Sequence, residues 1–337
     1  MQVLSATQAI SPAVARTRDL LFRPFQWGTF LKLCAVAVFT EGASGNFNNH
    51  SGTSHSHALS SHAMTQFNPA LIPVIAVFAL ALVALAVILF YLVVRLRFAL
   101  FECLIHQSRL LAPGWHKYRD QAYRFFLLSI AIGFVFVAAM VVTFLPFIKQ
   151  FWHLYRQGHM DGQFPSGEML AIVLQIVPLF LVFALAGVCV DVVMRDFMLP
   201  HYALENTSAG QAWIAVYDRF TREPGAFLFY ALLRIVLPFF AIVALTIALI
   251  IPGIIVFGGL GIMMAGLHAA ASGPITWFLI AVIGLIMLAL AAFVAICVGG
   301  PLSIAIRNYA LMFYGGRYQA LASILFPPPE IPGAATA

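Results

Sequence analysis

Residues 69–94 read PALIPVIAVFALALVALAVILFYLVV and carry no charge. As a helix rising about 1.5 Å per residue, the stretch reaches roughly 39 Å. The hydrocarbon core of a bilayer is about 30 Å thick, so this segment is long enough to cross it. The rest of the chain agrees. Of 337 residues, 62% are hydrophobic and 9% charged, against about 45–50% and about 25% in soluble domains. With a mean hydropathy of +0.96, there are too few polar side chains to cover a surface facing water. The sequence predicts an all-α, polytopic membrane protein.

Five more stretches qualify as spans. Phe25–Thr40 is short and carries Lys32, whereas Tyr123–Ile148 and Met169–Met194 are of full length. Ala226–Leu267 is broken at Pro252-Gly253, and Ile275–Ile306 closes the series. The broken stretch is too long for one span and barely enough for two. It reads best as a span over 231–255 followed by an apolar loop over 256–271, lying on the bilayer or dipping into it. Six spans (about 25–40, 69–94, 123–148, 169–194, 231–255 and 275–306) thus fill a membrane domain of 23–325. A segment of 1–22 precedes it, and a disordered, proline-rich tail of 326–337 follows.

Charge fixes the expected orientation, because Lys and Arg collect in the short cytoplasmic loops of membrane proteins. With the N-terminus cytoplasmic and six spans, that side receives Arg16, Arg18, Arg23, Arg95, Arg97, Arg109, Lys117, Arg119, Arg124, Arg195, Arg219, Arg222, Arg307 and Arg317, fourteen of the eighteen basic residues. Only Lys149 and Arg156 fall outside, and Lys32 and Arg234 fall within spans. Both termini are therefore expected in the cytoplasm and the protein in the inner (plasma) membrane. The net charge of +6 follows from this topology and from contact with anionic lipid; it implies no nucleic-acid partner. Residues 1–20 lack the apolar core of a signal peptide, so the first span is expected to act as an uncleaved anchor. Cys34, Cys103, Cys189 and Cys297 stand singly in or beside spans and read as small, reduced hydrophobes.

The even-numbered spans end alike: Arg95-Leu-Arg97-Phe98-Ala-Leu-Phe101, Met194-Arg195-Asp196-Phe197-Met198-Leu199 and Ile306-Arg307-Asn308-Tyr309-Ala310-Leu311. The odd spans begin alike, with Arg23-Pro24-Phe25, Tyr123-Arg124-Phe125-Phe126 and Arg222-Glu-Pro224-Gly225-Ala-Phe227. These patterns predict three helical hairpins of the parallel-repeat kind, joined by helical cytoplasmic connectors. One connector is expected over Ala209–Phe220, capped by Ser208 or Thr207, with Trp213, Val216, Tyr217 and Phe220 on one face. The extension Phe98–Leu111 is more apolar than a solvated helix should be. Phe98, Phe101, Trp115, Trp213, Tyr217 and Phe220 are thus candidates for an interfacial or partner-binding surface.

Ionisable residues inside a span are costly and are functional suspects. Asp191 stands four residues before Arg195, a favourable helical spacing, and Arg234 could reach it from the fifth span. With Lys32, these form a candidate intramembrane charge cluster at the mouth of a polar path. The competing reading is interfacial pairs and snorkelling side chains that hold spans together. The segment Glu41–Asn68 (EGASGNFNNHSGTSHSHALSSHAMTQFN) is expected outside. Its His50, His55, His57 and His62 could ligate a metal ion, against the reading of a flexible polar loop. No Walker A loop, GxGxxG, HExxH or GxSxG is present, so no cofactor is expected. Pro146, Pro178 and Pro238 fall within spans and would kink them.

In its Arg23-Pro24-Phe25 start, its hairpin pattern and its basic-aromatic span ends, the chain resembles uncharacterised bacterial six-span membrane proteins. These are similar in layout to the membrane domain attached to some glycerophosphodiester phosphodiesterases. The resemblance brings no catalytic residues, and the phosphodiesterase domain itself is absent. The expectation is a membrane subunit or scaffold without chemistry of its own, bound to the lipid bilayer and to another membrane protein or a second copy. A small transporter or channel using Asp191 and Arg234 is the alternative, and a lipid-modifying enzyme the second.

Overall fold

A computed structural model of the chain describes residues 3–45, 71–161, 166–270 and 273–327. Among them the only regular secondary structure is helix: α1 (Ile10–Phe22), α2 (Trp27–Gly45), α3 (Leu71–Ile105), α4 (Ala112–Lys117), α5 (Arg119–Asp161), α6 (Ser166–Val192), α7 (Leu199–Glu205), α8 (Ala209–Arg222), α9 (Pro224–Gly253), α10 (Gly259–Ala270), α11 (Pro274–Gly315) and α12 (Gln319–Leu325). Five helical runs among the described residues are long and apolar enough to cross a membrane: Pro73–Ile105, Arg119–Arg156, Gly167–Glu205, Pro224–Ala269 and Pro274–Gly315.

Two of these runs contain wide π turns, each beside a proline. Val193–Met198 joins α6 to α7 just before Pro200, and Ile254–Gly258 joins α9 to α10 just after Pro252. Proline brings no amide proton and crowds the carbonyl four residues back. The wide turns carry each run on as helix. The apolar loop expected over 256–271 is therefore not formed. Residues 254–270 extend the helix begun by α9.

The chain divides into two compact units, Met1–Arg119 with Phe220–Ala337, and Asp120–Arg219. In the first, the core lies where helix ends meet. Ala13, Thr17, Leu20 and Leu21 form the buried stripe of α1, and Phe30, Leu33, Cys34 and Ala37 form that of α2. Both stripes follow helical spacing. α1 lies antiparallel to the end of α11: Asn308 donates to the Thr17 hydroxyl at 2.9 Å, and Arg317 to the Leu4 carbonyl at 3.0 Å. α2 meets α11 at Gly300, where a Cβ would lie 2.6 Å from the Cys34 Cα. Only glycine permits that approach. α4 is held against α3 by Gly114 in the same way, since a Cβ there would lie 2.9 Å from the Ala99 Cα.

In the second unit, α5 and α6 meet through aromatic rings, with Phe183 5.7 Å from Phe136 and 5.9 Å from Phe144 between centroids. Phe125 and Tyr202 stand edge to face at 5.4 Å. The expected cap of α8 is formed: Ser208 Oγ accepts from the Gln211 amide while Gln211 Oε1 accepts from the Ser208 amide. This reciprocal pair is a capping box, which satisfies two amides that the first turn leaves open.

The expected first span departs from the sequence reading. α2 is not among the five long apolar runs. Cys34 touches Gly300 and Glu41 pairs with Arg307, seven residues further along in both helices. α2 and α11 therefore run in the same general direction. In a six-span alternation the first and sixth spans would run in opposite directions. With 19 residues, α2 reaches about 28 Å, just short of a bilayer's hydrocarbon core of about 30 Å, and its polar end finds its partners beside the other helix ends.

Candidate functional site

The C-terminal end of a helix leaves four carbonyls without helical partners and carries a partial negative charge. In the first unit, arginines from elsewhere answer that need repeatedly. Arg16 donates to the Leu104 and Ile105 carbonyls at 2.8 and 3.2 Å, closing the end of α3. Arg109 does the same for α1, reaching the Leu20 carbonyl at 3.0 Å and that of Arg23 at 2.5 Å. Arg95 donates to the Trp115 carbonyl at 2.7 Å and lies 4.0 Å over its ring. Burial lowers the Arg16 pKa from its ordinary value.

The densest group lies at the end of α2. Arg97 from α3 donates through both Nε and a terminal nitrogen to the Thr40 carbonyl, each at 3.2 Å. The adjacent Glu41 carboxylate is gripped by Arg307 of α11 and approached to 3.5 Å by Arg234 of α9. The Glu41, Arg234 and Arg307 side chains are 16%, 12% and 10% exposed. Four helices thus bring three positive charges and one negative charge to one place. A buried carboxylate is tolerable only when paired, and this pairing ties the last turns of α2 to α9 and α11.

A second polar group locks α4 to α3. Glu102 accepts from Lys117 at 2.8 Å and from the Tyr118 hydroxyl at 2.5 Å. Burial, and after it the bond to Glu102, push the Tyr118 phenol well above its usual range, so it remains a donor.

Beside the α2 cluster, α1, α9 and α11 line a groove of about 150 Å³, walled by Ala13, Leu237, Pro238, Leu302 and Ile306. Its polar members are Arg234 and Tyr309. Tyr309 is 3% exposed and stacks on Tyr230 at 5.2 Å. Among the described residues its hydroxyl has no hydrogen-bond partner.

The structure distributes the expected charge cluster differently. Asp191 and Arg195 do pair, through two contacts along one face of their helix. Arg234 belongs to the first unit and pairs with Glu41. Lys32 is exposed on α2, nine residues and about 13 Å of helix before Glu41. Glu41, which the sequence reading set outside and away from Arg97 and Arg307, shares one cluster with them. The signal for it was available: it is the first carboxylate after an apolar stretch and directly follows Thr40.

The expected surface is also divided. Phe98 and Phe101 are 0% and 5% exposed, so they belong to the core; Phe98 lies against the Tyr118 ring at 5.8 Å. They follow Arg95 and Arg97 into the region where the helix ends converge, which buries them. Trp115 is half-buried. Trp213, Tyr217 and Phe220 are exposed on α8, which turns Ala212 and Val216 inward. His50, His55, His57 and His62 lie outside the described residues, as does most of the proline-rich tail. Among the described residues no group of three or more His, Cys, Asp or Glu side chains could hold a metal ion.

Helices of this length and apolarity, with buried polar contacts at their ends, are consistent with the class of multi-pass helical membrane proteins. The chain belongs to the family of unknown function DUF7544, which it matches over residues 4–324. No curated protein and no solved structure matches it. Nothing in the family match links the chain to the glycerophosphodiester phosphodiesterases.

Proposed function

We propose that this protein is an integral membrane subunit that binds another membrane protein, without chemistry of its own. In this reading it lies in the inner membrane. One observation carries it. Of the most apolar stretch of each long run, between 0% and 11% is buried within the protein. Membrane helices associate by close packing of their flanks rather than by a hydrophobic drive. Flanks left this open serve lipid or a partner, and surfaces of this kind commonly mark interaction sites. The grooves along α9 are mostly apolar, which suits docking better than the passage of ions.

The test is extraction of the full chain from its native membrane in mild detergent, followed by native mass spectrometry. A stoichiometric second polypeptide whose cross-links fall on the apolar runs supports the reading. A lone monomer that carries ion flux in proteoliposomes overturns it in favour of transport.

A further inference from the structure

From the groove between α1, α9 and α11, we infer that this protein holds one anionic phospholipid, with the phosphate on Arg234 and Tyr309 and acyl chain along the apolar wall. The partner reading above is not needed for this site. Three features of the site meet the needs of such a ligand.

The first is the Tyr309 hydroxyl. A buried donor without a partner costs free energy, and here it belongs to a 3% exposed residue lining the groove. A phosphate oxygen accepts the bond it has to give. The second is charge. Arg234 lines the same groove and belongs to the group in which Arg97, Arg234 and Arg307 surround Thr40 and Glu41. A guanidinium is well matched to phosphate geometry. The third is the wall. Leu237, Pro238, Ala241, Leu302 and Ile306 carry no polar side-chain atoms. An apolar space of about 150 Å³ takes hydrocarbon in preference to water. A mostly apolar groove with one arginine and one tyrosine among its lining residues matches a lipid rather than a free anion. α9 and α11, which form most of that wall, belong to two of the five runs able to span a bilayer, where anionic lipid is present.

The experiment places the full-length protein in nanodiscs of phosphatidylcholine doped with phosphatidylglycerol, strips annular lipid with detergent, and counts retained lipid by native mass spectrometry. The wild-type chain is expected to keep one phosphatidylglycerol and no phosphatidylcholine. Tyr309→Phe, which removes one oxygen and leaves the ring stack, should weaken retention about tenfold. Ala241→Phe, which fills the groove, should abolish it. Arg234→Gln should weaken retention about a hundredfold; because it also touches Glu41, its thermal transition is measured alongside. Equal retention of phosphatidylcholine overturns the inference, as does wild-type retention by Tyr309→Phe and Ala241→Phe. Displacement of the lipid by millimolar inorganic phosphate would also overturn it, leaving only an anion site.

Discussion

The ends of the helices and their shafts obey different physics. At the ends, Arg16, Arg95, Arg97, Arg109 and Arg307 are spent on carbonyls and carboxylates of other helices, and rings such as Phe98, Tyr230 and Phe313 are fully buried. Along the shafts, side chains such as Leu80, Phe134, Leu174 and Ile262 stay more than 70% exposed. A soluble protein would be destabilised by that distribution, because its apolar surface would face water. In a bilayer the shafts are solvated by lipid, and the polar ends are the costly part. The contrast locates tertiary specificity: lipid can replace contacts between shafts, but cannot satisfy a carboxylate or an open carbonyl.

Four substitutions would break or sharpen the contrast. The largest effect is expected from Arg307→Ala, which leaves Glu41 in a half-closed site with one guanidinium fewer. Removing one partner of such a pair costs about 3 kcal/mol or more, and the thermal transition in detergent should fall accordingly. An unchanged transition would mean that the cluster does not hold α2 to α11. Gly300→Ala comes next. Its new methyl would meet Cys34 at 2.2 Å from Cβ, so the helices must move apart, at about 2 kcal/mol. Cysteine cross-linking between α2 and α11 would lose efficiency in parallel.

A smaller loss is expected from Tyr118→Phe, which removes a donor to Glu102 and should cost about 1.5 kcal/mol. Hydrogen exchange should then rise in α4, while α11 keeps its protection. The smallest effect is expected from Ile262→Ala in α10, a shaft residue 76% exposed. Its cost should stay under about 0.5 kcal/mol in detergent. A larger cost would show that this flank is packed, and would extend tertiary specificity to the shafts.

Much of the helical layout was legible in the residues. Residues 71–94 of the charge-free run became the long shaft of α3, and the basic-aromatic endings continued as helix, as expected. Ser208 capped α8 as its position suggested. The loop expected at 256–271 failed because Pro252 was read as a break, whereas a π turn carries the helix past it. Phe98 and Phe101 were assigned to a surface because hydropathy reports how apolar a segment is, not which neighbour covers it. The positive residues were read as topology. Orientation can use them, but many are also caps.

What the sequence determined by itself is local: where apolar runs are long enough for a membrane, where helices start, and where charge gathers at their ends. Those properties depend on residue type and on spacings of a few positions. What only the tertiary structure decided is which end meets which. Glu41 and Arg307 are 266 residues apart in the chain, and no short-range period relates them. The direction of α2 along α11 follows from that long-range pairing, whereas Phe98 is covered by Tyr118 and Tyr309 is set beside Arg234 where α9 meets α11. Desolvated charges accept few partners, so one such contact fixes the packing of several helices.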